Sequence, residues 1–311
     1  IRTYIVGEDI SNLGVRMNNS EFDSSTDITV TLNNGILTPG TFYSTIYGTY
    51  IDATMSGNTV VTLENGDMYT DISINKLGFG YSFSFDASNV LTPLVGELFN
   101  IVGKLDLSNS ISDVSYIPLN VKAGTDLSNY TVELTDICDN KIPFNAPAIV
   151  NVLSVNTTDN SSSLLDTNLV NMTNGSLNLD NISIDTPGFN FMIEISMNEA
   201  NAPKTSGLIN VSADIDISAQ PFKYGDRIFA QDLNPFTAKV INVKNEVLQT
   251  DLSLIAGFSN TTSGAIMQGD STVDTSGGYA IFDTIDLFAI IPLKESKQNL
   301  SVTVSGRNLS D

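Results

Sequence analysis

The chain has 311 residues, with 14 basic against 35 acidic side chains and a formal net charge of −21. This length suits two or three domains, and the acidity excludes the basic footprint that nucleic acids or an anionic membrane surface would require. With no His, no Trp and a single Cys, the chain lacks the usual general base, the usual zinc ligand and an intrachain disulfide framework.

The sequence repeats itself three times. Heptads that begin with Asp and run into an alternating strand start at Asp9, Asp126 and Asp232. In the second half of the repeat, residues 69–108 align without a gap with residues 179–218, so that Gly78 corresponds to Gly188. Internal repetition of this kind predicts a tandem array of similar domains, because each copy must form the same unit.

Residues 78–85 alternate strictly between apolar and other residues, and residues 188–195 match them position for position. A period of two predicts a strand with one buried face, as in an antiparallel sheet. The predicted inward residues of the two segments are Tyr81, Phe83 and Phe85, and Phe191, Ile193 and Ile195. Gly66, Gly175 and Gly278 are predicted at hairpin tips, where a positive φ angle suits glycine.

Shorter strand-turn-strand units recur at 130–142 and 236–247, and the count reaches about seven short strands per repeat. Regularly spaced short strands predict β-sandwiches. We place the domains at 1–104, 105–214 and 215–311. Because no Pro- or Gly-rich linker separates them, we expect the chain to pass almost directly from one sandwich to the next and to form a stiff rod.

The segments 130–136 with 140–143, and 275–282, resemble the strand and turn motifs of tandem immunoglobulin-like repeats in surface proteins of the filamin and invasin type. Asn140 and Asn245 stand near the position where that family favours Gly or Asn, although Leu177 replaces the Ala that the family has after Gly175. The resemblance implies an all-β chain of three tandem immunoglobulin-like antiparallel β-sandwich domains. It also implies an extracellular stalk, adhesin or filament subunit.

The repeated acidic residues at the predicted joints have two interpretations. Each heptad Asp forms an Asx turn with nearby backbone N–H groups, or carboxylates from adjoining domains bind calcium, which prefers several oxygen ligands. The candidate calcium ligands are Asp9, Asp106, Asp126, Asp214, Asp216 and Asp232. No other cofactor is predicted.

A polar region from Asn156 to Asn174 contains four Asn-x-Ser/Thr sequons, at Asn156, Asn160, Asn171 and Asn174. We interpret residues 157–168 as a polar loop and the four sequons as the best candidates for glycosylation in a secreted protein. Cys138 is predicted at a turn as a small buried hydrophobic residue, with an interchain link as the alternative.

The chain begins at Ile1 without a signal peptide, and no stretch is apolar enough to span a bilayer. We therefore expect a mature subunit or an excerpt of a longer protein. The first heptad starts early, so the first sandwich is expected either to receive its opening strand from a neighbour, by strand donation, or simply to be cut where the sequence starts.

These observations favour a non-catalytic, extracellular or cell-surface structural protein that self-associates or contacts neighbouring domains of a longer chain. The alternative is an adhesin that recognises glycans or a host protein through sandwich loops. An enzyme is not expected, because a Ser or Cys nucleophile would have no His base and a carboxylate pair no aromatic-rich cleft.

Overall fold

A computed structural model describes residues 1–10, 27–33, 53–62, 70–87, 91–108, 119–128, 130–159, 161–218, 230–232, 235–258, 265–289 and 302–306. Throughout these ranges the ordered elements are β-strands and no helix is formed. The all-β prediction is therefore confirmed. It also follows that the described ranges contain no helix of the length and hydropathy that a membrane span requires.

In the first repeat, six strands form one sheet, and the short strands β3 and β5 pair separately. The strands are β1 (Arg2–Ile5), β2 (Asp27–Asn33), β3 (Met55–Ser56), β4 (Val60–Thr62), β5 (Ser73–Ile74), β6 (Gly78–Ala87), β7 (Leu94–Val95) and β8 (Phe99–Val102). The sheet order is β1-β8-β6-β2-β4, with β7 paired to β6.

The second repeat contains two sheets, which face each other across a core. Its strands are β9 (Lys104–Ser108), β10 (Leu119–Lys122), β11 (Thr131–Thr135), β12 (Ala146–Asn156), β13 (Ser161–Met172), β14 (Ser176–Asn178), β15 (Gly188–Ser196), β16 (Lys204–Thr205) and β17 (Ile209–Ser212). One sheet has the order β14-β11-β9 and the other β10-β17-β15-β12-β13, with β16 paired to β15. This division of strands is that of an immunoglobulin-like sandwich.

The third repeat begins with the same three-stranded sheet, in the order β18-β20-β24. Its strands are β18 (Asp214–Ile217), β19 (Ala230–Asp232), β20 (Phe236–Ile241), β21 (Ser253–Phe258), β22 (Ala265–Gly269), β23 (Thr272–Asp274), β24 (Tyr279–Phe282), β25 (Ile285–Ala289) and β26 (Val302–Gly306). Two further sheets have the orders β19-β25-β22 and β23-β21-β26.

The alternating strands β6 and β15 bury the residues that their sequence pattern predicts. Tyr81, Phe83 and Phe85 are buried in β6, and Phe191, Ile193 and Ile195 in β15. Burying each such apolar side chain contributes roughly 1.5–3 kcal/mol. Burial also raises the pKa of the Tyr81 phenol to about 12, and its hydroxyl donates a hydrogen bond to the carbonyl oxygen of Leu77.

Both strands also carry the same bulge. The register shifts between Gly78 and Tyr81 where β6 pairs with β8, and between Gly188 and Phe191 where β15 pairs with β17. Gly80 and Asn190 occupy the bulge with φ angles of 71° and 61°. The first two repeats thus share backbone detail as well as sequence pattern, because a bulge fixes where the strand bends.

Among the described strands two pairs are parallel, whereas we expected antiparallel pairing throughout. β1 runs parallel to β8, and β10 runs parallel to β17. A period of two shows that one face is buried but does not give the direction of the neighbouring strand, so the sequence pattern could not distinguish these pairs from antiparallel ones.

The region 157–168, which we interpreted as a polar loop, is mostly a strand. β13 occupies Ser161–Met172 and pairs along its length with β12, with a bulge opposite Val152 and Leu153. Cross-strand pairing with β12 stabilises a segment whose own polar composition favoured a loop. β13 is the last strand of its sheet, so it is an edge strand.

Candidate functional site

Within the described residues, the same local geometry occurs twice, at the places where one repeat passes into the next. β8 ends at Val102 and β9 begins at Lys104, so Gly103 alone separates them, and Ala213 alone separates β17 from β18. We call these places, with the turns that pack on them, the first joint and the second joint. All sheets described above take their strands from one repeat only.

A side-chain-capped turn stands at each joint. At the first, Asp136 Oδ1 accepts hydrogen bonds from the backbone N–H groups of Cys138 and Asn140, at 2.9 and 2.8 Å. At the second, Asn242 Oδ1 accepts from the N–H groups of Lys244 and Glu246, at 2.9 and 3.0 Å. Backbone bonds close both turns, from Asp136 N–H to the Asn140 carbonyl and from Asn242 N–H to the Glu246 carbonyl.

Both turns dock on the preceding repeat by the same contact. The N–H group of Ile137 donates to the carbonyl oxygen of Val6 at 3.1 Å, and that of Val243 donates to the carbonyl oxygen of Ala123 at 3.0 Å. Each accepting residue is followed by a glycine with positive φ, Gly7 at 80° and Gly124 at 77°. The joints are therefore built on one plan.

These glycines leave no free space for a side chain. A Cβ atom on Gly124 would lie 3.0 Å from Asn242 Nδ2, and a Cβ atom on Gly7 would lie 3.3 Å from Ile137 Cγ2. The turn and the preceding repeat thus pack closely, which restricts bending between them.

At the first joint a second segment holds the linker. The N–H group of Gly103 donates to the Glu199 carbonyl at 2.7 Å, and the Gly103 carbonyl accepts from the N–H group of Asn201 at 2.9 Å. These bonds form a parallel bridge between Gly103 and Ala200. Burial raises the pKa of the Glu199 carboxyl at this place.

Ion pairs at and beside the joints occupy several of the predicted calcium ligands. Lys122 Nζ lies 2.8 Å from Asp214 Oδ1. Lys239 Nζ lies 2.7 Å from Asp216 Oδ2, and Lys244 Nζ lies 3.6 Å from Asp126 Oδ1 across the second joint. The pairs are largely solvent-exposed, so each is worth little in stability.

The remaining predicted ligands stand apart from these. Asp9 and Asp106 are exposed, and Asp106 faces Glu133 across the ladder of β9 and β11, while the side chain of Asp232 lies outside the described residues. Among the described side chains no three acidic, His or Cys groups converge on one point. Calcium binding stays a prediction.

Cys138 was expected to be buried, and the structure shows it exposed. Its position inside the turn from Asp136 to Asn140 explains this, because the turn directs Ile137 to the preceding repeat and leaves the next side chain in solvent. Of the two residues expected near the turn position that favours Asn or Gly, Asn245 has a positive φ angle, at 61°. In the first turn this angle belongs to Asp139, at 64°, and not to Asn140, which corresponds to Glu246.

Three predicted glycosylation sites are exposed: Asn156 and Asn171 on the hairpin of β12 and β13, and Asn174 in the turn between β13 and β14. Asn160 lies outside the described residues. The joint turns were not predicted as sites. One sequence signal could have indicated them, since Gly7 and Gly124 each stand two residues before a repeated Asp.

The capping side chain is a carboxylate at the first joint, Asp136, and an amide at the second, Asn242. We therefore expect the two joints to respond differently to pH. Burial opposes ionisation of the Asp136 carboxyl, but hydrogen bonds from Asn140 and Cys138 outweigh it and hold the pKa below its usual value. The resulting stabilisation is present above the pKa of the unfolded chain and is lost as pH falls through the lower, folded pKa. Hydrogen-exchange protection of the Ile137 amide, corrected for the intrinsic rate, is therefore expected to fall in acid while that of Val243 does not.

The matched variants are Asp136→Asn and Asn242→Asp. The first is expected to make Ile137 protection independent of pH, because an amide already fills this role at Asn242, and the second to make Val243 protection fall in acid. At the first joint the neighbouring charges are Lys104, which pairs with Asp139, and Glu8, which accepts from the N–H group of Ile5. At the second joint they are Glu246, whose carboxylate accepts from Asn242 Nδ2 at 2.9 Å, and the pair of Lys244 with Asp126. Equal pH dependence at both joints in the unmodified chain would contradict the prediction.

No protein-family model and no curated protein matches this chain. Among solved structures, the native conformation of Escherichia coli α2-macroglobulin is 10% identical, with a TM-score of 0.21, over 99% of this chain and 20% of that one. The four N-terminal Ig domains of Dscam1 isoform 4.44 are 10% identical, with a TM-score of 0.21, over 78% of this chain and 57% of theirs. For isoform 6.9 the values are 8%, 0.22, 99% and 70%. At TM-scores this low the overlaps do not support an assignment. The immunoglobulin-like assignment therefore depends on the strand order described above.

Proposed function

We propose that the chain is a non-catalytic structural protein of the cell exterior, a stalk or filament subunit built from three immunoglobulin-like domains at 1–104, 105–214 and 215–311. The observation that carries this proposal is the joint built twice on one plan, with a one-residue linker, a docked turn and a packed glycine. A catalytic or loop-binding protein has no need to fix the angle between successive sandwiches twice in the same way.

The contiguous core supports a stiff array. Buried apolar side chains of all three repeats form one continuous cluster, from Val6 to Val304. Packing across the linkers, together with the backbone hydrogen bonds of the joints, opposes bending, because breaking such contacts exposes apolar surface. Ladders of strands would carry load along the chain.

Small-angle scattering of the chain in solution tests this proposal. A compact protein of this length has a radius of gyration of about 20 Å. Three sandwiches in line, each as long as a strand of roughly 33 Å, give a radius of gyration of about 30 Å. We expect the larger value, together with a distance distribution that has a long tail. A radius of gyration near that of the compact protein would overturn the proposal.

A second function, as an adhesin, is favoured by the hairpin of β12 and β13. These strands have 11 and 12 residues, and Leu164, Leu165 and Leu169 on β13 are largely exposed. Such exposed apolar side chains on a rigid support are typical of recognition surfaces. An array of glycans and host-surface proteins that retains the chain, but not its Leu164→Ser/Leu169→Ser variant, would establish this function.

A further inference from the structure

Two ion pairs of opposite direction cross the second joint. Lys122 of the second repeat places its Nζ atom 2.8 Å from both carboxylate oxygens of Asp214, the residue that follows the linker Ala213. In return, Lys244 of the third repeat places its Nζ atom 3.6 Å from Asp126 Oδ1 of the second. Each side of the joint thus supplies one cation and one anion, and the two pairs tie the start of the third repeat and its docked turn to the second repeat.

The corresponding positions of the first joint lack both lysines. Ile5 is the last residue of β1, as Lys122 is of β10. Cys138 is the second residue after the capping side chain of its turn, as Lys244 is in the other turn. Neither residue carries a cationic side chain, so neither ion pair of the second joint has a counterpart at the first.

The first turn docks on the preceding repeat through neutral groups. The N–H group of Ile137 donates to the Val6 carbonyl, and the Ile137 side chain packs closely beside Gly7. The ion pair beside this turn, between Lys104 and Asp139, joins two segments of the second repeat to each other. Salt can therefore weaken that pair without loosening the contact between the first and second repeats.

The pairs of the second joint are exposed enough for salt to act on them. Their four side chains are between 36 and 53% exposed. The range of electrostatic interactions in water falls from about 30 Å at 0.01 M salt to about 3 Å at 1 M. Since single exposed pairs contribute little, we expect the two together to change the balance between a docked and a released turn by about threefold.

We propose that the second joint is a salt-responsive hinge, which loosens when screening weakens the pairs of Lys122 with Asp214 and of Lys244 with Asp126. The first joint keeps its turn docked under the same conditions. The chain then bends between the second and third repeats and stays stiff between the first and second. This inference rests on the proposed stalk function and adds to it a place where bending is regulated.

Hydrogen exchange of the full chain, at constant pH in low and high salt, tests the hinge at single amides. The N–H group of Val243 donates to the Ala123 carbonyl when the second turn is docked, and that of Ile137 reports on the first turn in the same way. We expect Val243 protection, relative to that of Ile137, to fall about threefold between about 0.02 and about 0.5 M sodium chloride. The ratio removes the general effect of salt on a chain of net charge −21. A ratio that does not change with salt overturns the proposal.

Charge reversal separates an ionic role of Lys122 from a merely structural one. Lys122→Glu brings two carboxylates together, so it should lower Val243 protection in low salt by about threefold or more and reduce its dependence on salt. Adding Asp214→Lys restores the attraction with the charges exchanged, and it should recover both the protection and its salt dependence. If the double variant protects Val243 no better than Lys122→Glu alone, the pair does not hold the joint and the proposal is wrong.

The first joint offers a matched gain-of-function variant. Cys138→Lys places a lysine at the position of Lys244, next to a repeat whose exposed Asp9 corresponds to Asp126. We expect Ile137 protection in this variant to fall with added salt, as that of Val243 does in the unmodified chain. If Ile137 protection stays indifferent to salt, a lysine at this position does not make a joint salt-responsive, and Lys244 has no part in the hinge.

The hinge and the stalk fail separately. A protection ratio that is independent of salt, with a radius of gyration of about 30 Å, would remove the hinge and keep the stalk. A compact chain in which Val243 protection falls with salt would remove the stalk and keep the salt-responsive joint.

Discussion

Replacing Phe99 with alanine is expected to destabilise the first repeat by about 3–5 kcal/mol. Phe99 is buried, and its ring stacks at 4.8 Å from that of Phe83 and lies 5.9 Å from that of Tyr81, with Tyr4 edge-on at 5.8 Å. The substitution leaves a cavity and removes three aromatic contacts. Since domains of this size are stable by only about 5–15 kcal/mol, the first repeat should then melt well before the others.

Calorimetry of the full chain measures the result. We expect Phe99→Ala to lower one transition, by about 12 °C or more, and to leave the transition of the third repeat in place. The control is Phe282→Ala in the third repeat, where the Phe282 ring stacks on that of Phe236 at 4.9 Å; it should lower the transition of the third repeat and leave that of the first in place. A single transition lowered equally by both variants would mean that the repeats unfold as one unit, and it would contradict their independent unfolding.

The strands that sequence alone predicts well are those with one buried face. Along β15, Phe191, Ile193 and Ile195 are buried in strict alternation, because the pleat of a strand turns successive side chains to opposite faces. Gly175 and Gly278 take the positive φ angles expected of hairpin tips, whereas Gly66 lies outside the described residues. In such places the local pattern and the tertiary environment require the same residues.

The predictions that failed depend on contacts between distant segments. The direction of β1 is set by its pairing with β8, and the conformation of β13 by its pairing with β12. Cys138 is exposed because the turn around it docks through Ile137. The joints went unpredicted for the same reason: the spacing of Gly7 and Gly124 before a repeated Asp marks a recurring position, but it does not show that a turn far along the chain covers the glycine.

The largest effect expected at a joint is that of Gly103→Ala. A Cβ atom on Gly103 would lie 2.5 Å from Leu134 Cδ1 and 2.8 Å from Leu134 Cγ. Leu134 is fully buried and has little room to move, so we expect a loss of about 1–3 kcal/mol from overpacking. The linker would also shift, and hydrogen-exchange protection of the Asn201 amide, which donates to the Gly103 carbonyl, should fall.

The second joint shows how this loss can be reversed. There the linker residue is Ala213, and the residue that corresponds to Leu134 is Val240, a smaller side chain. Ala213 and Val240 are both buried, at 1 and 0% exposure, so this pair fits the same backbone plan. We therefore expect Leu134→Val to restore most of the stability that Gly103→Ala loses, although alone it costs about 0.5–1.5 kcal/mol by leaving a cavity.

A double-mutant cycle, measured by denaturant unfolding, tests whether Leu134→Val rescues Gly103→Ala. We expect Gly103→Ala/Leu134→Val to be more stable than the sum of the single changes, with a coupling of about 1 kcal/mol or more, and to recover the protection of the Asn201 amide. Ala213→Gly is the control, since it should weaken the second joint only and leave Asn201 protected. Simple additivity would show that Leu134 does not set the size of the first linker residue, and the two joints would then not share a packing rule.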